Sequence, residues 1–190
     1  MNKAVFLDKD GTLIPDIPYN VNTDLITLEK GAIEGLKKLS EAGYKLIIIS
    51  NQAGIAHGYF KEDEILKVRM RLEEMLGEEG VKLDGFYYCP HHPKAGIAKY
   101  QQNCSCRKPE PGLILKAAKD HSVDLAASWM IGDILNDVEA GRRAGCGAIL
   151  IDNGNETEWI MNEYRKPDFK AGNLSEAADQ ILKTSSLKAR

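Results

Sequence analysis

Long apolar runs are missing from this 190-residue chain: the longest buried-looking one, Leu46-Ile47-Ile48-Ile49, falls far short of the ~20 residues a membrane-spanning helix needs. The amino terminus shows no basic segment followed by an apolar stretch and a small-residue cleavage site, so no secretory signal is expected and a cytoplasmic location is. An excess of positive charge is also lacking. A formal net charge of −3 argues against a broad nucleic-acid surface, while leaving room for a small phosphorylated substrate held by a few cations. There is no internal repeat, linker or low-complexity block, and 43% apolar content over 190 residues suits a single domain spanning residues 1–190. Cysteines number only four. In a reducing compartment they are better read as thiols or metal ligands than as disulfides.

What the chain does have is a regular alternation of apolar strands and amphipathic helices. Ala4-Val5-Phe6-Leu7 is a strand running into Asp8-Lys9-Asp10-Gly11-Thr12. Asp16-Ile17-Pro18-Tyr19-Asn20 is loop. Residues 31–42 carry apolar residues at Ile33, Leu36 and Leu39 with helical spacing, and Gly43 ends that helix. A second strand covers 44–49. A long charged helix over 61–79 places Ile65, Val68, Leu72, Met75 and Leu76 on one face, and Gly80 closes it. Then come a strand at 83–88, an irregular insertion at 90–109 and a helix at 111–120 started by Pro109 and Pro111. A strand at 128–131, a helix around 137–144, a strand at 147–151 and a terminal helix at 174–182 complete the pattern, with a frayed tail expected from Lys183 to Arg190. The alternation predicts an α/β fold, a doubly wound parallel sheet.

The chemistry gathers at strand ends. Asp8 lies at the carboxyl end of the first strand, where ligands bind in such sheets, and Gly11 turns the chain so that Asp8 and Asp10 can converge. Two carboxylates this close repel each other unless a divalent cation or a shared proton intervenes, and the oxygen-rich set suits Mg²⁺. The plainer alternative is a loop of Asx turns and a helix cap. Ser50 and Asn51 offer a hydroxyl and an amide for phosphate oxygens, Lys108 a fixed positive charge, and Asp133 and Asp137 further carboxylates. A second constellation is Cys89-Pro90-His91 followed by Cys104-Ser105-Cys106. Three thiolates and one imidazole suit a closed, structural Zn²⁺ site over residues 89–106, with His91 and His92 competing for the nitrogen position. Cys146 is read as a small core residue, and Trp129 and Trp159 as packing.

The order Asp-x-Asp-Gly-Thr, Ser-Asn, Lys, Gly-Asp-x-x-x-Asp resembles the four motifs of the haloacid dehalogenase superfamily of phosphatases, over Asp8 to Asp137. The resemblance implies that fold without a separate cap domain. It also implies Asp8 as nucleophile forming an aspartyl-phosphate and Asp10 as the acid that becomes the base. Mg²⁺ would be held by Asp8, Asp10 (through its backbone carbonyl) and Asp133. Ser50, Asn51 and Lys108 would bind the phosphoryl group, with Asp137 orienting the lysine or a metal-bound water.

A narrower resemblance rests on Tyr87-Tyr88-Cys89-Pro90-His91-His92-Pro93, on Cys104-Ser105-Cys106-Arg107-Lys108-Pro109, on Asp16 to Asn20 and on Asn51 to Ala56. These stretches are similar to the bacterial heptose 1,7-bisphosphate 7-phosphatase family of nucleotide-activated heptose and lipopolysaccharide biosynthesis, and the similarity weakens after Asp152. It implies zinc on Cys89, His91, Cys104 and Cys106. It also implies a small phosphorylated sugar lined by Asp16, Ile17, Pro18, Tyr19, Asn51, Gln52, Ala53, Gly54, Arg107 and Lys108. Lys9, Ala53 and His57 depart from residues common in that family. A monomer is expected, with no nucleic-acid or membrane partner. Histidinol-phosphate phosphatases are the nearest alternative, with a shorter gap between the His and the Cys-x-Cys, and polynucleotide 3′-phosphatases are more distant. A phospho-accepting receiver or a zinc-binding interaction module are the non-enzyme alternatives.

Overall fold

A computed structural model describes residues 1–188. Six strands form one sheet: β1 (Lys3–Leu7), β2 (Tyr44–Asn51), β3 (Gly85–Cys89), β4 (Trp129–Gly132), β5 (Gly147–Ile151) and β6 (Phe169–Ala171). All pairings are parallel, in the order β3-β2-β1-β4-β5-β6. Beside the strands run α1 (Ala32–Glu41), α2 (Ala53–His57), α3 (Glu62–Glu78), α4 (Gly112–Asp120), α5 (Leu135–Ala144) and α6 (Leu174–Lys188).

Successive strand residues point to opposite faces, and the core divides accordingly. Val5, Leu7, Leu46 and Ile48 pack with α1, α3 and α6 on one face. Ala4, Phe6, Ile47 and Ile49 pack with α4 and α5 on the other. Both sides of β1 are therefore covered, which is why its sequence is apolar throughout. β1 lies at the centre, where the chain changes direction across the sheet, and ligand crevices open at the carboxyl ends of strands at such a point. Leu7 is in register with Ile48 on one side and Ile131 on the other, so the residues following β1, β2 and β4 emerge at one level. Among the described residues no helix is long and apolar enough to cross a membrane.

Three expectations need correction. The five-residue α2 and three-residue β6 were not expected, because neither is long enough to display a period. The terminal helix continues past Leu182 to Lys188. There the hydroxyls of Thr184, Ser185 and Ser186 donate to carbonyls one turn back, and Ser185 also meets Tyr44 Oη at 2.7 Å. A Thr-Ser-Ser run that favours loop in isolation is thus accommodated in the helix. The rest of that expected tail, residues 189 and 190, lies outside the described residues. Trp159, expected to pack, is 47% exposed with Lys170 Nζ over its ring.

Candidate active site

Asp8 leaves the sheet directly after β1, its backbone N–H donating to Ile131 O at 2.9 Å. Its Oδ1 accepts from Lys108 Nζ at 2.5 Å, and the same ammonium meets Asp137 Oδ1 at 2.6 Å and donates to Ile49 O at 2.9 Å. Lys108 comes from the loop ahead of α4 rather than from a strand end. Burial works against its charge, but the Asp137 and Asp8 carboxylates more than offset this and hold the ammonium above its ordinary range. Asp137, one turn into α5, is fully buried and is pushed up to about 6 by that burial, with Lys108 opposing.

Asp133 follows β4, and one carboxylate oxygen from each of Asp8, Asp133 and Asp137 falls within a 4.8 Å cluster. Burial, together with the Asp8 and Asp137 charges, pushes Asp133 up to about 8. Two glycines permit this crowding. Gly11 has φ +79°, and a Cβ there would collide with the Asp133 carboxylate and Asn155. One on Gly132 would collide with Asp137.

Asp10 projects from the turn beyond β1 and is raised above the usual carboxylate range by burial, against the pull of Lys9. Its Oδ1 pairs with Lys9 Nζ, and its Oδ2 accepts from Gln52 Nε2 at 3.4 Å. Gln52 Nε2 also donates to Ser50 Oγ at 2.7 Å. The Asn51 side chain is committed at both ends to the Lys108 peptide: Nδ2 donates to Lys108 O and Oδ1 accepts from Lys108 N, each at 3.0 Å. This clamp leaves one side-chain amide hydrogen of Asn51 for a ligand, fewer groups than the sequence suggested.

Sequence reading missed several members. Lys9 is 1% exposed and faces Asp10. Thr12 Oγ1 donates to Asp133 Oδ1 at 3.3 Å, and Asn155 Nδ2 donates to Oδ2 at 2.8 Å. Asn153 Nδ2 donates to Gly11 O at 2.7 Å, and Glu156 Oε2 accepts from Leu135 N at 2.6 Å in the first turn of α5. The last three follow β5, another carboxyl strand end, and their position after an apolar strand was the available signal.

Asp8, Lys9, Asp10, Asn51, Lys108, Asp133, Asp137 and Asn155 floor a cavity of about 370 Å³, rimmed by Asp16 to Asn20, by Gln52, Ala53 and Gly54 at the start of α2, and by Arg107, while Ser50 lies behind the lining. The arrangement has crowded carboxylates and two ammonium groups below, Lys9 on Asp10 and Lys108 on Asp8 and Asp137, with sugar-sized space above. Such a floor can take up a divalent cation and a phosphoryl group.

Beside it, Cys89 ends β3 and meets His91, Cys104 and Cys106. The separations are 3.1 Å for Cys106–Cys89, 3.3 Å for Cys106–Cys104, 3.6 Å for Cys89–Cys104, 3.3 Å for His91 Nδ1–Cys106 and 3.7 Å for His91 Nδ1–Cys89. All four cysteines of the chain are free thiols. The structure brings His91 into the cluster, while His92 turns away to accept from Lys94 N and to lie 4.8 Å from His57, ring centroid to ring centroid. Cys146 is buried apart from the cluster, and desolvation pushes its thiol up to about 12.

A HAD-hydrolase-like family model matches residues 105–177. The D-glycero-beta-D-manno-heptose-1,7-bisphosphate 7-phosphatase of Pasteurella multocida is 46% identical over 155 residues, covering 81% of this chain and 84% of that protein. The protein of the same name from Escherichia coli strain K12 is 37% identical over 168 residues, covering 84% and 88%. The solved structure of D,D-heptose 1,7-bisphosphate phosphatase from B. bronchiseptica, complexed with magnesium and phosphate, superposes with a TM-score of 0.81. It is 28% identical and covers 96% of this chain and 99% of that one. With the fold, the carboxylate floor and this similarity taken together, the chain belongs to the D-glycero-β-D-manno-heptose-1,7-bisphosphate 7-phosphatase family of HAD-like hydrolases.

Proposed function

We propose that this chain removes the 7-phosphate of D-glycero-D-manno-heptose 1,7-bisphosphate through an aspartyl-phosphate on Asp8. The observation that carries the reading is the single cavity with Asp8, Lys108, Asp133 and Asp137 at its floor and Arg107 with the 16–20 loop at its rim. The β anomer, for which the relatives are named, is the expected substrate.

A buried set of carboxylate oxygens, one of them raised to about 8 by its neighbours, is the donor chemistry that Mg²⁺ takes. Asp8, Asp133 and the backbone carbonyl of Asp10 would hold it. Bound there, the ion would supply positive charge against the phosphoryl oxygens and the crowded carboxylates. Asp8 attacks phosphorus as the bond to the C7 oxygen breaks, and Asp10, raised by burial and so a competent acid, protonates the departing alkoxide. Asp10 then takes a proton from the water that attacks the aspartyl-phosphate, releasing inorganic phosphate and restoring both carboxyl groups to their starting states. Lys108 and the remaining amide hydrogen of Asn51 would hold the transferring phosphoryl oxygens, and Ser50, buried just behind the cavity lining with its hydroxyl accepting from Gln52, would join them if that hydroxyl turns inward. Asp137 keeps the lysine charged and aimed. Arg107, whose Nη1 donates to His91 O at 3.4 Å, supplies a planar cation for the second phosphate or sugar hydroxyls.

The Cys89, His91, Cys104 and Cys106 cluster fits structural Zn²⁺ by its donor set of three thiols and one imidazole gathered at one point, and its sulfurs, 3.1–3.6 Å apart, would spread slightly to the ~3.8 Å that a tetrahedral ion with bonds of about 2.3 Å requires. The six strands form one sheet covered by helices on both faces, which supports a single-domain enzyme, and a monomer in the cytoplasm is part of the same reading.

The test is phosphate release with Mg²⁺ from the α and β heptose 1,7-bisphosphates and from histidinol phosphate, side by side. A strong preference for the β anomer is expected, and preference for the α anomer would overturn that choice while keeping the heptose reading. Preference for histidinol phosphate would overturn the substrate and keep the chemistry.

A further inference from the structure

Beyond the cavity rim, a small cluster of rings, in which Tyr19 meets both Tyr59 and, at a longer 6.3 Å, His57, connects two loops that lie far apart in sequence. Tyr19 lines the cavity and holds a left-handed backbone, φ +55°, a conformation that non-glycine residues seldom keep without support. Its ring meets Tyr59 edge to face with centroids 4.7 Å apart. Tyr59 in turn stacks on His57 at 5.5 Å and 27°, and His57 abuts His92 beside the Cys/His cluster at 4.8 Å. The far end is anchored by backbone as well, since Ile97 N donates to Ala56 O at 3.1 Å. Tyr59 N itself donates to Gly54 O at 2.9 Å, which fixes where its side chain departs.

Tyr59 is 64% exposed, does not line the cavity, and its hydroxyl makes no hydrogen bond among the described residues. A ring so exposed contributes little to the core, so its packing against Tyr19 calls for a local explanation. We propose that Tyr59 is a positioning residue that holds Tyr19 and the 16–20 loop over the cavity, with His57 and the metal-binding loop as its backing. The ring is what matters, since edge-to-face pairing draws on the aromatic face and edge rather than on the hydroxyl. Loss of the ring frees the loop and weakens substrate capture, while the phosphoryl-transfer groups beneath keep their arrangement. The kinetic half of this inference rests on the heptose bisphosphate reading, and the structural half does not.

The experiment compares Tyr59→Ala and Tyr59→Phe with the unaltered zinc-loaded chain. It reads KM and kcat on the heptose bisphosphate, and amide hydrogen exchange in the peptide containing residues 16–20. For Tyr59→Ala, KM is expected to rise roughly two- to twelvefold with kcat within about twofold, and the 16–20 amides to exchange faster by a similar factor. Tyr59→Phe should match the unaltered chain in both. Unchanged exchange in Tyr59→Ala overturns the proposal. So does a raised KM without faster exchange, which would make Tyr59 a direct substrate contact. Should the unaltered chain not turn over the heptose bisphosphate, the functional reading fails, and exchange alone still decides the role of Tyr59.

Discussion

Asp8 is the one floor residue for which a nearly isosteric neutral replacement removes the proposed nucleophile and little else. Asp8→Asn keeps an oxygen facing Lys108 but cannot form an acyl phosphate that water then cleaves. Phosphate release should fall to background while the circular dichroism spectrum and zinc content stay unchanged. Residual activity near the unaltered level would remove Asp8 from its role. Asp133 gives a second prediction. Its folded-state value, about 8 against 3.8 unfolded, means that the folded chain binds the extra proton between those limits. Its contribution to stability is therefore full below about 4 and lost as pH rises through about 8. Melting curves of Mg²⁺-free protein should show Tm falling from pH 5 to pH 8.5. Added Mg²⁺, which takes the proton's place, should flatten that fall, and Asp133→Asn should flatten it without metal. A Tm rising across that range in Mg²⁺-free protein would contradict the burial argument. At this scale Asp8, Asp10 and Asp133 were legible because each follows an apolar strand, and Asp137 because it stands one helical turn beyond Asp133, in a recognisable order. Lys9 was not: it is adjacent to Asp10 in sequence, and only the turn at Gly11 folds the two side chains together.

At the scale of elements, the loop between β3 and α4 has little core of its own. Beyond Cys89, residues 90–106 are exposed or half-buried apart from Ala95, so their order depends on the Cys/His cluster and on Glu62. That carboxylate accepts from Tyr88 Oη at 2.7 Å and Tyr100 Oη at 2.5 Å. Cys104→Ser should lose bound zinc and expose residues 90–106 to proteolysis, while peptides from β1 and β4 keep their hydrogen-exchange protection. Tm should fall by about 2–4 °C for each kcal/mol that the ion contributes. Retention of zinc with an ordered loop would show that the remaining three ligands suffice. The cluster itself was readable from spacing, since cysteine and histidine in that pattern have few other uses. The short elements were not. α2 places Gln52, Ala53 and Gly54 at the rim, yet five residues with one glycine inside and another at the C-cap carry no periodicity, and its helicity comes from packing: a Cβ on Gly54 would collide with the Phe60 ring.

For the molecule as a whole, the segment between β5 and β6 matters most, because it joins stability to chemistry and could not be foreseen. Residues 153–168 have no regular secondary structure, and they are held by a buried carboxylate on α5. Glu139, 3% exposed, takes Arg143 Nη2 at 2.6 Å, Arg165 Nε at 2.6 Å and Asn162 Nδ2 at 3.5 Å. Arg165 Nη2 also donates to Asn136 Oδ1 at 2.8 Å. The other end of the same segment delivers Asn153 to Gly11, Asn155 to Asp133 and Glu156 to the start of α5. Sequence periodicity cannot reveal such a strap, whose order comes from charges that meet only after the sheet has formed. Glu139→Ala leaves Arg165 half-buried without its main partner, and losing those charged hydrogen bonds should cost about 1–3 kcal/mol. Tm should then fall by about 2–4 °C for each kcal/mol. Because Asn155 stands on the same strap, Mg²⁺ half-saturation of phosphate release should rise together with the loss of stability. A lowered Tm with unaltered Mg²⁺ dependence would show that the Glu139 end and the Asp133 end of the segment are ordered independently.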